Sequence, residues 1–295
     1  MLSIPATLDW WGETTEGAAW LVRLPAIVEH LAARWQLQLE APFAGSNVSL
    51  AVPASLHDGT RAVLKITFPG EETEHEADAL AHWDGDGAAR LLERADTDSA
   101  LLVERLEPGE QLWTVQDEDE ANRIAADVLR RLRRPTAGSH PFRTLAGEAT
   151  RWAVELPERW RHLGRPFGRA LLDEAVSACL DLTVGPVDEV VLHQDVHGGN
   201  VLRDGDGWRA IDPKPLIGDP AFDVASLLRD RRWTLYEPDV ARRFRRRLDL
   251  LANELDLERE RLRGWGVAHA LAWGLDHATF DPELVECARL LSTAR

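Results

Sequence analysis

The apolar pattern of this chain changes character once, at Glu107-Pro108-Gly109, and that change limits the possible folds more than any other feature. Before it, short strand-like runs alternate with helices. Leu24, Ile27, Val28, Leu31 and Trp35 recur at helical spacing. Residues 47–53 and 61–68 alternate as strands on either side of His57-Asp58-Gly59, which predicts a hairpin. An acidic helix is expected over 71–83, with its negative first turn at the helix N-terminus. Asp84-Gly-Asp-Gly87 is turn chemistry, and strands are expected at 90–92 and 99–106. After the break, 117–134, 143–163, 167–183, 220–233, 238–255, 258–277 and 282–293 all carry helical patterns, and only 190–212 is strand-like. The expected fold is therefore α+β and two-lobed. A small lobe with an antiparallel sheet spans 1–106, and a larger helical lobe spans 107–295. At 295 residues the chain is about where single cores stop growing. A cleft between two lobes is a usual place to hold a ligand.

The strand-like exception carries the chemistry. An apolar strand, Val190-Val-Leu192, runs into His193-Gln-Asp195-Val-His-Gly-Gly-Asn200. Short strands at 201–203 and 208–212 flank Asp204-Gly-Asp-Gly207, and a hairpin there returns Asp212 to the neighbourhood of Asn200. Asp195, Asn200 and Asp212 should then converge on one face of the cleft. One amide and two carboxylates suit Mg²⁺-assisted phosphoryl transfer from ATP, because Mg²⁺ takes oxygen ligands from one or two carboxylates plus phosphates. Asn200 and Asp212 are the expected metal ligands. Asp195 is the expected general base, accepting the proton of an attacking hydroxyl.

Composition narrows the partners. The net charge is −16, with 34 basic residues of which only Lys65 and Lys214 are lysine. Such a chain lacks the positive surface that binds nucleic acid. Its acidity suits a cationic small molecule, or simply keeps the protein soluble. The run Arg242-Arg-Phe-Arg-Arg-Arg247 reads as a solvated, salt-bridged helix face. Of the 12 tryptophans, Trp10, Trp11, Trp233 and Trp273 among them, most should be core, with one or two free to stack on a sugar or guanidinium. Cys179 and Cys287 are too far apart in sequence for a metal cluster and argue against a disulfide framework. With no signal-peptide pattern and no long apolar stretch, a cytoplasmic protein is expected, with no membrane partner.

His193-Gln-Asp195-Val-His-Gly-Gly-Asn200, Ile211-Asp212-Pro213 and Gly218-Asp-Pro-Ala-Phe-Asp223 resemble the signatures of the aminoglycoside phosphotransferase branch of the protein-kinase-like fold. Ala210-Ile-Asp-Pro-Lys-Pro215, Trp83–Glu93 and Ala100–Gly109 resemble, within it, the streptomycin 6-kinase and hydroxyurea phosphotransferase family. The resemblance implies an ATP-phosphate lysine on the third strand, Lys65, paired with Glu76 of the next helix, with Glu72 as the alternative. It implies a hinge at Val103–Leu106 that meets adenine through the backbone C=O of Glu104 and N–H of Leu106. A phosphate-covering loop would lie at Ala44–Asn47. Asp223 would brace the catalytic loop, or else serve only as a helix N-terminal acid. Lys214 would touch a phosphate oxygen or fix Asp212, and His197 would be structural. Where the family has glycine between its His and Asp, this chain has Gln194. The implied activity is phosphorylation of a hydroxyl on a small molecule, with a streptomycin-type cationic aminocyclitol as leading acceptor. A metabolic small-molecule kinase is the alternative. A nucleotide-binding pseudokinase is a third reading, opposed by the presence of Lys65, Asp195, Asn200 and Asp212.

Overall fold

The computed structural model describes residues 3–45, 48–136 and 138–295. Its N-terminal part opens with helix α1 (Thr15–Arg34), started by Thr14, whose hydroxyl accepts the Gly17 N–H at 3.1 Å. It continues through β1 (Gln38–Leu39), β2 (Ser49–Ser55), β3 (Arg61–Thr67), α2 (Glu76–Trp83), β4 (Leu91–Ala95) and β5 (Ala100–Glu104). These strands form a five-stranded antiparallel sheet in the order β1-β2-β3-β5-β4. Alternation in β3 decides its two faces. Ala62, Leu64 and Ile66 bury against Trp20, Leu24, Val28 and Leu31 of α1. Val63 and Lys65, at the odd positions, turn the other way into the cleft.

The remainder runs β6 (Pro108–Gln111), α3 (Glu118–Leu132), β7 (Arg143–Thr144), α4 (Leu145–His162), α5 (Arg169–Asp181), β8 (Val190–Leu192), β9 (Val201–Asp204), β10 (Gly207–Ala210) and β11 (Leu216–Gly218). The chain then ends in α6 (Ala225–Leu228), α7 (Val240–Leu255), α8 (Arg259–Gly274) and α9 (Pro282–Thr293). Helices dominate, and a second, larger core lies among them. Two small sheets, β10-β9-β6 and β7-β11-β8, hold the segment from Val190 to Gly218 against it. The architecture is the expected α+β one, with a small antiparallel-sheet lobe and a larger helical lobe.

Four local expectations are revised. Strands β6, β7 and β11 lie outside the one region read as strand-like; each is two to four residues long, too short to leave a period in the sequence. The acidic helix starts at Glu76 rather than 71, because residues 70–75 form turns in which Gly70 O accepts the N–H of Thr73 and of Glu74. The first helix begins nine residues before its apolar stripe, at Thr15. The helix expected over 220–233 is broken into 3-10 turns around four-residue α6. Its carbonyls are satisfied from elsewhere. Nη1 of buried Arg247 donates to Leu228 O at 3.0 Å and Asp230 O at 2.9 Å, so the segment need not continue as helix.

The lobes are not independent in packing. The chain crosses between them near residues 104–108, where the domain boundary at 106/107 remains our assignment, but α2 buries Ala77, Leu80 and Trp83 in the larger core. Trp83 Nε1 donates to Leu132 O at 2.9 Å, and Ala210 exchanges backbone bonds with Gly87 and Ala89. The arginine run at 242–247 belongs to this scaffold: Arg243 and Arg247 pair with Glu118 and Arg246 with Asp119, tying α7 to α3. Both cysteines are buried and unpaired, and burial pushes their thiols up to about 12. Among the described residues no helix is long and apolar enough to cross a membrane.

Candidate active site

Strand β3 delivers Lys65 to the cleft, nearly closed off from solvent. Its ammonium donates to Glu76 Oε1 at 2.6 Å and to Asp212 Oδ1 at 2.9 Å. Glu76 is the partner chosen, since α2 starts there; Glu72 pairs with Lys214 instead. Burial acts against a charged lysine, but the Asp212 and Glu76 carboxylates outweigh it and raise the Lys65 pKa. Burial also lifts the Glu76 carboxyl, opposed by Lys65. With two carboxylates on one ammonium, the ion pair is the state the geometry supports.

The segment between β8 and β9 holds Asp195. Asp223 fixes its entrance, accepting the backbone N–H of His193 at 2.9 Å and of Gln194 at 2.7 Å. Burial pushes the Asp223 carboxyl up to about 7 against those two bonds. Gln194 sits at φ +68, the left-handed region that glycine enters freely. That explains why glycine is usual there, and the glutamine costs roughly 1 kcal/mol of backbone strain. Its C=O accepts the Ser226 hydroxyl at 2.8 Å, so both its peptide groups are anchored. Asn200 Nδ2 donates to Asp195 O at 3.0 Å, which fixes the amide's orientation and leaves Oδ1 as an acceptor. Ile211 N–H donates to Asn200 O at 2.9 Å, and this bond brings Asp212 back to the loop.

His193 is fully buried between these strands. Its Nε2 lies 2.9 Å from Ile211 O and its Nδ1 accepts Asp195 N–H at 3.3 Å, which assigns the proton to Nε2 of a neutral ring. Burial lowers its pKa from 6.5 to about 4. Because the folded value is depressed, the unfolded chain binds a proton first as pH falls. The stabilisation is whole above pH 6.5 and is lost progressively toward pH 4, amounting to about 3 kcal/mol from this residue. Urea midpoints measured from pH 7 to 5 should fall, and His193→Asn should flatten that slope; an unchanged slope would contradict the assignment.

Gly198 and Gly199 admit an unforeseen neighbour. The indole of Trp113, just after β6, stacks on His197 with ring centroids 5.4 Å apart, and a Cβ on Gly198 would lie 2.3 Å from Trp113 Cδ1. Asp230 clamps both, accepting Trp113 Nε1–H at 2.9 Å and Gly198 N–H at 2.7 Å. Gly198→Ala should therefore displace the loop, costing about 1–3 kcal/mol of stability and most of the turnover. Wild-type melting and turnover in that variant would refute the clamp.

Asp195 itself is buried, and two cations face it. Arg229 Nη2 is 3.3 Å from Oδ1 and Lys214 Nζ 3.5 Å from Oδ2, with His197 Nε2 at 3.9 Å. Burial alone would raise this carboxyl; Lys214 and then Arg229 overcome it and hold its pKa below the ordinary value. Lys214 thus reaches Asp195 and Glu72, while it is Lys65 that holds Asp212. Trp273 is engaged by the protein's own cations, Lys214 Nζ at 4.1 Å and Arg229 Cζ at 4.6 Å from the ring centroid. Trp233 remains half-exposed. The centre combines four carboxylates, Glu72, Glu76, Asp195 and Asp212, with three cations, so it is not uniformly acidic. Sequence reasoning missed Arg229, Trp113 and Asp230. Only the Gly198-Gly199 pair signalled a close approach; Arg229 left no local trace.

Lys65, Glu104, Leu106, Asn200 and Asp212 line one cavity of about 470 Å³ between the lobes, together with Val63, Val103 and Leu202. The Glu104 side chain turns to Arg209 and to the Arg90 N–H, and residues 104–106 line the cavity. Of the expected phosphate loop, Ala44 and Gly45 line the same cavity, while Ser46 and Asn47 lie outside the described residues. A hollow of about 590 Å³ behind α2 is larger but holds none of Asp195, Asn200 or Asp212. The donor set fits Mg²⁺: the Oδ1 of Asn200 and the second oxygen of partly exposed Asp212 are hard oxygen atoms on one cavity wall that could hold it.

Residues 34–279 match the family model described as aminoglycoside/hydroxyurea antibiotic resistance kinase. The chain is 40% identical to a streptomycin 6-kinase of Streptomyces glaucescens over 284 residues, covering 94% of this chain and 92% of that one. It is 35% identical to a hydroxyurea phosphotransferase of Kitasatospora aureofaciens, covering 84% and 72%. Among solved structures, a choline/ethanolamine kinase family protein from Mesorhizobium loti superposes with a TM-score of 0.64 at 17% identity, covering 89% and 91%. The aminoglycoside phosphotransferase APH(3'')-Id of Streptomyces rimosus, in complex with ADP and streptomycin, gives 0.55 at 20% identity, covering 85% and 99%. These folds are kinase-like. The chain belongs to the aminoglycoside/hydroxyurea antibiotic resistance kinase family.

Proposed function

We propose that this member of the aminoglycoside/hydroxyurea antibiotic resistance kinase family transfers the γ-phosphoryl group of ATP to a hydroxyl of a streptomycin-type aminoglycoside, and so confers resistance to it. The observation that carries the reading is the convergence of Lys65, Asn200 and Asp212, from three separate segments, on the wall of one cavity, with Asp195 outside that wall and tied to Asn200 through its backbone C=O. The acceptor hydroxyl oxygen attacks the γ-phosphorus while the bond to the ADP oxygen breaks, and the hydroxyl proton passes to Asp195. Asp195 is ionised and ready to accept it, and its main service is to align the hydroxyl. Lys65 meets the nucleotide phosphates, held in place by Glu76, and the backbone at Glu104 and Leu106 meets the base. Asn200 and Asp212 would hold Mg²⁺, which supplies neutralisation of phosphate charge when bound. Asp223 supports the loop that carries Asp195. The −16 charge favours approach of a cationic acceptor over long range. Two buried, unpaired cysteines fit a reducing compartment, and we read the reaction as cytoplasmic.

A second reading has its own support, since a hydroxyurea phosphotransferase stands at 35% identity. A screen of ATP consumption with streptomycin, hydroxyurea and a panel of amino and neutral sugars separates them. Mg²⁺-dependent ADP release with streptomycin, and a singly phosphorylated product, is the expected result. Turnover confined to hydroxyurea or to a neutral sugar would replace the proposed acceptor. Nucleotide binding with no turnover on any acceptor would favour a pseudokinase.

A further inference from the structure

Arg229 follows α6 directly, 34 residues after Asp195, and its side chain is about 11% exposed. Three contacts hold the guanidinium. Its Nε donates to Nδ1 of His269 at 3.1 Å, its Cζ lies 4.6 Å from the Trp273 ring centroid, and its Nη2 reaches Asp195 Oδ1 at 3.3 Å. His269 is fully buried on α8 and stacks on Trp273 at 4.8 Å. A guanidinium only donates, so His269 accepts through Nδ1 and carries its proton on Nε2. A continuous chain, α8–His269–Arg229–Asp195, thus runs from a packed helix to one oxygen of the carboxylate. Lys214 and His197 face the other oxygen.

We propose that Arg229, held by His269 and Trp273, is a positioning residue for phosphoryl transfer that locks Asp195 Oδ1 and so presents Oδ2 to the acceptor hydroxyl. This rests on the phosphotransferase reading above. The terminal torsion of an aspartate is broad and nearly two-fold, so the carboxylate has no fixed orientation of its own. A planar guanidinium anchored at Nε supplies one. Lys214 cannot do the same, because its ammonium sits on a flexible stem, is shared with Glu72 and is partly exposed. Burying a guanidinium is unfavourable unless a carboxylate meets it, and Asp195 is the carboxylate that does.

The test is a double-mutant cycle on purified full-length enzyme, using streptomycin and radiolabelled ATP. Arg229→Gln should lower kcat by roughly 30-fold with the KM for ATP held within about twofold. In an Asp195→Asn background, whose loss of about 10²–10⁴-fold still leaves turnover readable over hours, the same change should cost less than about threefold. Equal losses in both backgrounds, or a KM for ATP that rises with the fall in kcat, would show a merely structural role and overturn the proposal. Arg229→Lys keeps a buried cation and runs the same cycle if the glutamine variant does not fold; full activity in it would also overturn the guanidinium's role. Absence of wild-type turnover on every acceptor would instead refute the functional reading, and this proposal with it.

Discussion

Asp195→Ala should stop phosphoryl transfer, by about 10³-fold or more in kcat, while Mg·ATP still binds. The size follows from what the carboxylate does at once. In the proposed reaction it aligns the acceptor hydroxyl and takes its proton, and in the structure it balances the charges of Arg229 and Lys214 on either side. Removing it leaves buried Arg229 without a counter-charge, so the variant should also melt earlier than the wild type. Nucleotide affinity must therefore be measured below its transition. Asp195 is absent from the wall of the 470 Å³ cavity, which is why binding of the nucleotide should survive. Near-normal turnover would remove Asp195 from the reaction. Loss of nucleotide binding at a temperature where the protein is folded would show that the loop, and not the carboxylate, had been disturbed.

Lys65→Met should fail twice. Turnover should fall by about 10²-fold or more, because the cation proposed to meet the nucleotide phosphates is gone. Stability should fall by about 3–5 kcal/mol, because Glu76, 3% exposed, loses the ammonium that balances its charge. Asp212 would lose the same partner but is partly exposed and can be hydrated. The two losses are separable. Adding Glu76→Gln replaces the stranded carboxylate with a neutral amide of similar size and should restore most of the melting temperature. It should restore none of the turnover. If the double variant recovers activity along with stability, Lys65 is a structural ion pair and meets no phosphate. If Lys65→Met alone melts like the wild type, the buried pair is not ionised as described.

Much of the site was legible because its parts are close in sequence. Asp195 and Asn200 share one loop between β8 and β9, and the Asp204–Gly207 turn necessarily brings Asp212 back beside Asn200. Lys65 was legible through the family resemblance, which places a lysine on the third strand, and its standing as one of two lysines on an alternating strand supported it. The start of α2 and the break at 220–233 were not, since hydrogen bonds accepted by Gly70 O and donated by distant Arg247 decide them. Periodicity reports which face of a segment is buried; it says nothing of a side chain from another helix that takes its carbonyls.

The sequence by itself determined the two-lobed α+β architecture, the family, and the line of groups His193, Asp195, Asn200 and Asp212. These depend on local periodicity, turn chemistry and short-range return of the chain. Tertiary structure alone decided what surrounds Asp195. Arg229, Lys214, His269 and Trp273 come from segments 19 to 78 residues away and meet there only because α6, α8 and the strand after Asp212 pack on one core. Charge interactions act through space, over a few ångströms and inside a poorly polarisable interior, so their partners are set by packing and leave no spacing to read.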